Sequence, residues 1–193
     1  EAAEDEKGFY RSSDKGESWE HRNSYTSGGT GPHYYQEIEA SPVDPDLVYQ
    51  MARAGCTGVF VGLESLDARN LRGAGKRTPH PADYGRRVRV FHDHAIQVNG
   101  SFVFGFDHDG PDIFRRTVDF GVESRLDTAT FTILTPYPGT TLYRRLLEEG
   151  RITDRDWSHY DTTRAVYRPL GMSAEELESG YFDAYRMFYS WPA

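Results

Sequence analysis

The spacing of apolar and polar positions changes near residue 51. Before it, short aromatic and charged stretches are broken by turn formers. Residues 8–11 and 18–22 read as strands flanking a turn at 12–16, the signature of a small hairpin. Residues 24–32 hold four Ser or Thr and three Gly and read as loop. A last short strand is expected at 47–50, after Pro42-Val43-Asp44-Pro45. From Ala52 onward, apolar runs alternate with helical periodicity. Residues 57–63 form an apolar run, as in a strand buried on both faces, and 67–74 a polar helical stretch. Pro81 opens a longer helix with Tyr84, Val88, Phe91 and Ala95 on one face, Pro being tolerated in a first helical turn. Residues 98–104 are the next strand. A helix after Asp109-Gly110-Pro111 carries Phe114, Val118 and Val122 inward, with Asp109 as its cap. Residues 128–134 are a third strand, and 140–149 a helix with Leu142, Leu146 and Leu147 inward. Ser173 and Glu176 make a capping box for a last helix whose inner face is Leu177, Tyr181, Tyr185 and Phe188.

Three strand–helix units in series imply an α/β fold with a parallel sheet, open or closed into a barrel. The chain has 193 residues and a formal net charge of −8. It shows no concentrated basic face, so nucleic acid is not an expected partner; the Arg86–Arg89 stretch reads as the solvated side of a helix. No apolar run reaches membrane-spanning length, and the charged N-terminus does not read as a signal peptide. Cys56 is the single cysteine, which excludes an intrachain disulfide and fits a reducing, cytoplasmic setting. His92 and His94 lie two apart on a helix and so point to different faces. Asp107-His108-Asp109 reads as loop and cap, not as a metal site.

Ser12-Ser13-Asp14-Lys15-Gly16-Glu17-Ser18-Trp19 resembles the Asp-box of β-propeller repeats in sialidase-like and sortilin-like proteins. Asp14 would bond the turn backbone, Gly16 accept a positive φ and Trp19 pack between blades. That resemblance makes residues 1–51 a propeller-blade fragment with a structural motif. A propeller needs several such blades to close.

The strings of residues 52–193 resemble the radical S-adenosylmethionine (SAM) superfamily, in the group that often carries a cobalamin-binding domain. They are Gly55-Cys56-Thr57-Gly58-Val59-Phe60-Val61-Gly62-Leu63-Glu64-Ser65, Gly75-Lys76-Arg77, Gly100-Ser101-Phe102-Val103-Phe104-Gly105-Phe106-Asp107, and Thr132-Ile133-Leu134-Thr135-Pro136-Tyr137-Pro138-Gly139-Thr140. The resemblance implies a TIM-like (β/α) barrel, here an incomplete C-terminal half with a terminal helix. It also implies SAM cleavage at a 4Fe–4S cluster to a 5′-deoxyadenosyl radical. Carried over, Glu64 meets the ribose hydroxyls, since a carboxylate accepts two such bonds. Lys76 or Arg77 meets the methionine carboxylate. The Val103 to Gly105 backbone lies along the adenine, with Gly105 allowing close approach.

The cluster of that superfamily takes three cysteines in C-x₃-C-x₂-C spacing, whereas Cys56 belongs to the lead-in of a later strand and reads as a small packed residue. The expectation is therefore a radical-SAM enzyme piece, inactive by itself, with an unknown substrate. A propeller-type repeat protein and a chimeric remnant joined at Tyr49-Gln50-Met51-Ala52 are the alternatives. A half barrel would also leave a sheet edge unpaired and open to self-association.

Overall fold

The computed structural model describes residues 9–11, 18, 20–23, 45–74 and 81–190. The chain divides into two units, Glu1–Ala40 and Ser41–Ala193. In the first, Phe9–Arg11 (β1) pairs antiparallel with Glu20–Asn23 (β2), with a register irregularity between Phe9 and Tyr10. The Asp-box positions 12–17 and Trp19 lie outside the described residues.

The second unit runs Pro45–Arg53 (α1), Gly58–Glu64 (β3), Ala68–Gly73 (α2), a 3₁₀ turn at Pro81–Asp83, Tyr84–His92 (α3) and Gln97–Phe104 (β4). It continues with Ile113–Glu123 (α4), Thr128–Ile133 (β5), Thr141–Glu148 (α5), a 3₁₀ turn at Trp157–His159 and Ala174–Phe188 (α6). Helix α1 corrects the strand expected at 47–50 and runs through the expected boundary at 51/52. A stretch as short as Leu47-Val48-Tyr49-Gln50 does not distinguish strand from helix. Pro45 suits a first helical position, and Val48 is fully buried while the adjacent Tyr49 is exposed. Arg53, one turn on, lies 5.9 Å over the Tyr49 ring.

Strands β3, β4 and β5 form one parallel sheet in that order. Alternation gives it two unlike faces. Val98, Phe102, Phe104, Ala129, Phe131 and Ile133 are buried on the face that meets the helices. There Phe104 stacks on Phe131 (5.5 Å) and meets Phe114 of α4 edge-on (4.8 Å), while Tyr185 of α6 approaches Phe131 edge-on (5.0 Å). Gly100 shares this face, where a Cβ would stand 2.7 Å from a Leu126 methyl. The opposite face carries Phe60, Gly62, Asn99, Ser101, Val103, Thr130 and Thr132, by the same alternation. It carries the polar side chains Asn99, Ser101, Thr130 and Thr132, and Thr130 donates to the Asn99 side chain across strands (3.1 Å).

Four helices end the same way. Gly55, Ala95, Arg125 and Gly150 all have positive φ. In each case that residue's N–H bonds the carbonyl three back, and the next N–H bonds the carbonyl five back. This is the Schellman stop, which turns the chain sharply out of the helix. After Ala95 and Arg125 it delivers Ile96 and Leu126 straight into the core. Ala95 thus lies beyond α3 and is exposed, not on its inner face as expected. Two further inward expectations are corrected: Val122 is 59% exposed and Leu147 42%. Gly121 takes the inward place on α4, where a Cβ would stand 2.8 Å from the Phe188 ring, and Leu146 alone is buried on α5.

The outer edge of β5 is closed by side chains. The Tyr189 hydroxyl accepts from the Ala129 N–H (3.0 Å) and donates to the Ala129 carbonyl (2.8 Å). The Tyr185 hydroxyl does the same for Phe131 (3.0 and 3.1 Å). Ile133 N–H then donates to the Thr162 carbonyl (2.7 Å). Residues one helical turn apart on α6 therefore serve strand residues two apart, standing in for a neighbouring strand.

Candidate functional site

The C-terminal ends of β3, β4 and β5 bring the chemistry-bearing residues together, where function collects in parallel α/β folds. Strand β3 ends in an irregular step: the pairing register shifts between Gly62 and Glu64. The Ser65 N–H closes a three-residue turn onto the Leu63 carbonyl (2.8 Å), and Glu64 at its apex has φ +62°. That combination is the rare, strained hand of the γ-turn. The Leu63 carbonyl also accepts from the buried Tyr84 hydroxyl (2.7 Å), whose pKa burial pushes up. The kink sends the Glu64 side chain back over Gly62, where a Cβ would stand 2.9 Å from its Oε1. Its carboxylate thus lies over the polar face of the sheet. A strained non-glycine residue beside a bulge is a common mark of a functional position.

Strand β4 runs directly into Gly105, which has φ +99°. A Cβ there would collide with the Tyr167 hydroxyl and with Leu177, so glycine is required on two grounds. The Tyr167 hydroxyl donates to the Gly105 carbonyl (2.5 Å). Asp109 is buried and turns back on the strand end. Its Oδ2 accepts from the N–H groups of Gly105 (2.9 Å) and Phe106 (3.0 Å). Its Oδ1 accepts from Asn70 Nδ2 (2.7 Å). Burial pushes the Asp109 pKa up to about 6, against the pull of these bonds. Asp109 is therefore not the helix cap the sequence suggested. Helix α4 starts four residues later with Asp112 at its cap position, and that side chain makes no capping bond.

Asn70 is buried on α2 and joins the ends of β3 and β4. Its amide nitrogen also approaches Ser65 Oγ (3.3 Å), and its oxygen accepts from the His108 N–H (3.2 Å). Helix α2 is set by Asp67, which caps the Arg69 N–H (2.8 Å). Hydrogen bonds from the Arg69 side chain hold Asp67 down at about 2. Beyond the strand end, Asp107 meets Arg145 (2.5 Å) and the buried Arg151 (2.9 Å). Burial works to raise the Asp107 pKa, but the two guanidinium groups outweigh it and the net shift is down. These contacts tie the β4 loop to α5.

Of the residues expected to contact SAM, Glu64, Val103 and Gly105 fall on adjacent strands at this end of the sheet. Lys76 and Arg77 lie outside the described residues. Asn70 and Tyr167 were not anticipated, and Asp109 was expected only as a helix cap. The four-residue step from Gly105 to Asp109 is a local signal for a carboxylate bonding backbone N–H groups. No spacing rule points from Asn70 to a partner 39 residues away.

The donor set fits the two expected groups unequally. The Glu64 carboxylate over the sheet face, on the strand next to the one that runs into Gly105, suits a hydroxyl-bearing nucleoside. A 4Fe–4S cluster does not fit. The chain has one cysteine, and Cys56 precedes β3, at the opposite end of the sheet from Glu64. Its thiol faces the Gly58 carbonyl (3.5 Å). Among the described residues no three His, Cys, Asp or Glu are grouped to hold a metal, and none of the helices is long and apolar enough to cross a membrane.

No family model matches the chain. Over 145 residues it is 31% identical to the bacteriochlorophyllide d C-12(1)-methyltransferase of Chlorobaculum tepidum, a match covering 75% of this chain and 31% of that protein. A solved structure of the radical SAM methyltransferase TsrM from Kitasatospora setae, with tryptophan substrate and a SAM analogue bound, aligns with TM-score 0.51 and 26% identity. It covers 56% of this chain and 21% of the TsrM chain. The homologues of this chain are thus methyltransferases and cyclases, with the radical SAM methyltransferase TsrM among them. A second TsrM structure, with cobalamin and a [4Fe–4S] cluster, shares the fold at TM-score 0.50 and 24% identity, over 77% of this chain and 29% of that one. A SAM analogue, cobalamin and a [4Fe–4S] cluster are thus bound in the TsrM structures that this chain resembles. The chain spans less than a third of the length of its curated methyltransferase relative.

Proposed function

We propose that residues 52–193 form the C-terminal part of a radical-SAM-type barrel and supply one wall of its SAM site, in an enzyme of the methyl-transfer class. The observation that carries this is the strained turn that lays the Glu64 carboxylate over the polar face at the C-terminal end of the sheet. Glu64 accepts hydrogen bonds from the ribose hydroxyls. The Val103–Gly105 backbone lies beside the adenine, and Lys76 or Arg77 pairs with the methionine carboxylate. SAM bound there supplies the methyl group or adenosyl moiety for the chemistry named in its homologues. The three thiolates of a cluster are not in this donor set, so the wall binds and orients without ligating iron.

The test is SAM binding by anaerobic calorimetry, after attempted iron and sulfide reconstitution, with Glu64→Ala and Glu64→Gln alongside the native chain. The expected result is binding by the native chain that Glu64→Ala abolishes and Glu64→Gln weakens. Equal affinity in all three, or no binding by the native chain, overturns the proposal.

A further inference from the structure

The ends of β3 and β4 are separated in sequence by a whole strand–helix unit, yet one pair of buried side chains joins them. Asn70 uses both ends of its amide. Nδ2 donates to Asp109 Oδ1 (2.7 Å) and reaches Ser65 Oγ (3.3 Å), while Oδ1 accepts from the His108 N–H (3.2 Å). Asp109 in turn uses its other oxygen for the consecutive N–H groups of Gly105 and Phe106. Asn70 and Asp109 are each 3% exposed or less, so solvent cannot readily replace these bonds. The result is a continuous path from Ser65, the residue after the Glu64 turn, to the peptide groups at Gly105.

We infer that Asn70 and Asp109 are a positioning pair, which sets the separation of Glu64 and the Gly105–Phe106 peptide and so the fit of the nucleoside between them. This rests on the proposed SAM wall and adds residues with no contact to SAM itself. The physical ground is geometric. Glu64 sits on a strained turn with φ +62°, and a strained turn persists only where its surroundings over-determine it. The Ser65 hydroxyl is held from both sides, accepting from the Asp67 N–H (3.1 Å) and from Asn70. Freeing Asn70 removes one of those restraints and leaves the His108 N–H and Asp109 Oδ1 without a partner. Tyr167 acts on the opposite side of the same peptide, through the Gly105 carbonyl.

The experiment compares the native chain with Asn70→Ala, Asp109→Asn and Glu64→Ala. SAM affinity is measured by calorimetry, the thermal midpoint by circular dichroism, and the amide signals of Gly105, Phe106 and His108 by ¹⁵N–¹H NMR without SAM. For Asn70→Ala the expected result is a roughly tenfold or greater loss of SAM affinity in a folded chain, with displaced amide signals at Gly105 and Phe106. Asp109→Asn, which keeps the shape but turns one acceptor into a donor, should move the same signals and weaken affinity similarly. If Asn70→Ala falls below its folding threshold, Asp109→Asn decides. Unchanged affinity in the folded variants, or unmoved Gly105 and Phe106 signals, overturns the inference while leaving the wall intact. Absence of binding by the native chain overturns the wall and the inference together.

Discussion

Replacing Tyr185 and Tyr189 with phenylalanine tests whether phenols substitute for a missing strand. The change keeps both rings, including the edge-on contact of Tyr185 with Phe131, and removes only the hydroxyls. Each loss deletes two hydrogen bonds to β5. A protein hydrogen bond contributes about 1 kcal/mol net, less where water can take its place. Tyr189 is about half exposed, so its share is the smaller. The double variant should therefore lose about 3 kcal/mol, which for a chain of this length lowers the melting midpoint by about 10 °C. The two rings stack at 6.1 Å, so the single variants should not sum exactly to the double. Hydrogen exchange gives a sharper signature. The N–H groups of Ala129 and Phe131 face the phenols, whereas β5 also pairs with β4 along its other edge. Exchange should accelerate at Ala129 and Phe131 and remain slow at Thr130. The exposed edge should also promote self-association, visible by light scattering as a concentration-dependent rise in mass. A double variant that stays monomeric, with stability within about 0.5 kcal/mol of the native chain and unchanged exchange at both positions, would refute the reasoning.

Three further outcomes are expected. Asp109 has a native pKa of about 6 against its ordinary 3.8, so between those values the folded state binds more protons than the unfolded one. Stability should fall as pH rises through that window, by roughly 2–3 kcal/mol in total, and urea unfolding should show Asp109→Asn to lack this fall. Glu64→Gly should relieve the positive φ and raise stability by about 1 kcal/mol while abolishing SAM binding; calorimetry and thermal melts on the same sample check both halves. Gly105→Ala should destabilise by about 3 kcal/mol through combined overpacking and backbone strain. A melt within 2 °C of the native chain would show that the Tyr167 and Leu177 contacts yield easily.

Legibility differed between kinds of feature. Strands β4 and β5 were readable because buried apolar residues recur at every second position, and both lie within a residue of their expected bounds. The capping box of α6 was readable because Ser173 and Glu176 act within four residues of each other, and both of its bonds are present. Residues 47–50 were misread because so short a run satisfies either period. Val122 and Leu147 were misplaced because periodicity tells which side of a helix is apolar, but not how wide a stripe its neighbours can cover. Glu64 was singled out through a resemblance, while the strained turn that aims it leaves no mark in the residue types.

By itself the sequence determined the α/β class, the order of strands and helices, the strand ends where chemistry collects and the lack of cluster thiolates. Each of these depends on composition or on neighbours a few residues apart. Only the tertiary structure decided that Asp109 serves β4 instead of capping α4, that Asn70 joins two strand ends, and that α6 closes the edge of β5. Those bonds link residues 39, 54 and 60 positions apart at the Asn70–Asp109, Tyr185–Phe131 and Tyr189–Ala129 contacts. The backbone N–H and carbonyl groups that Asp109, Tyr185 and Tyr189 meet are the same in every residue, so the chain had to fold before it was settled which side chain would meet them.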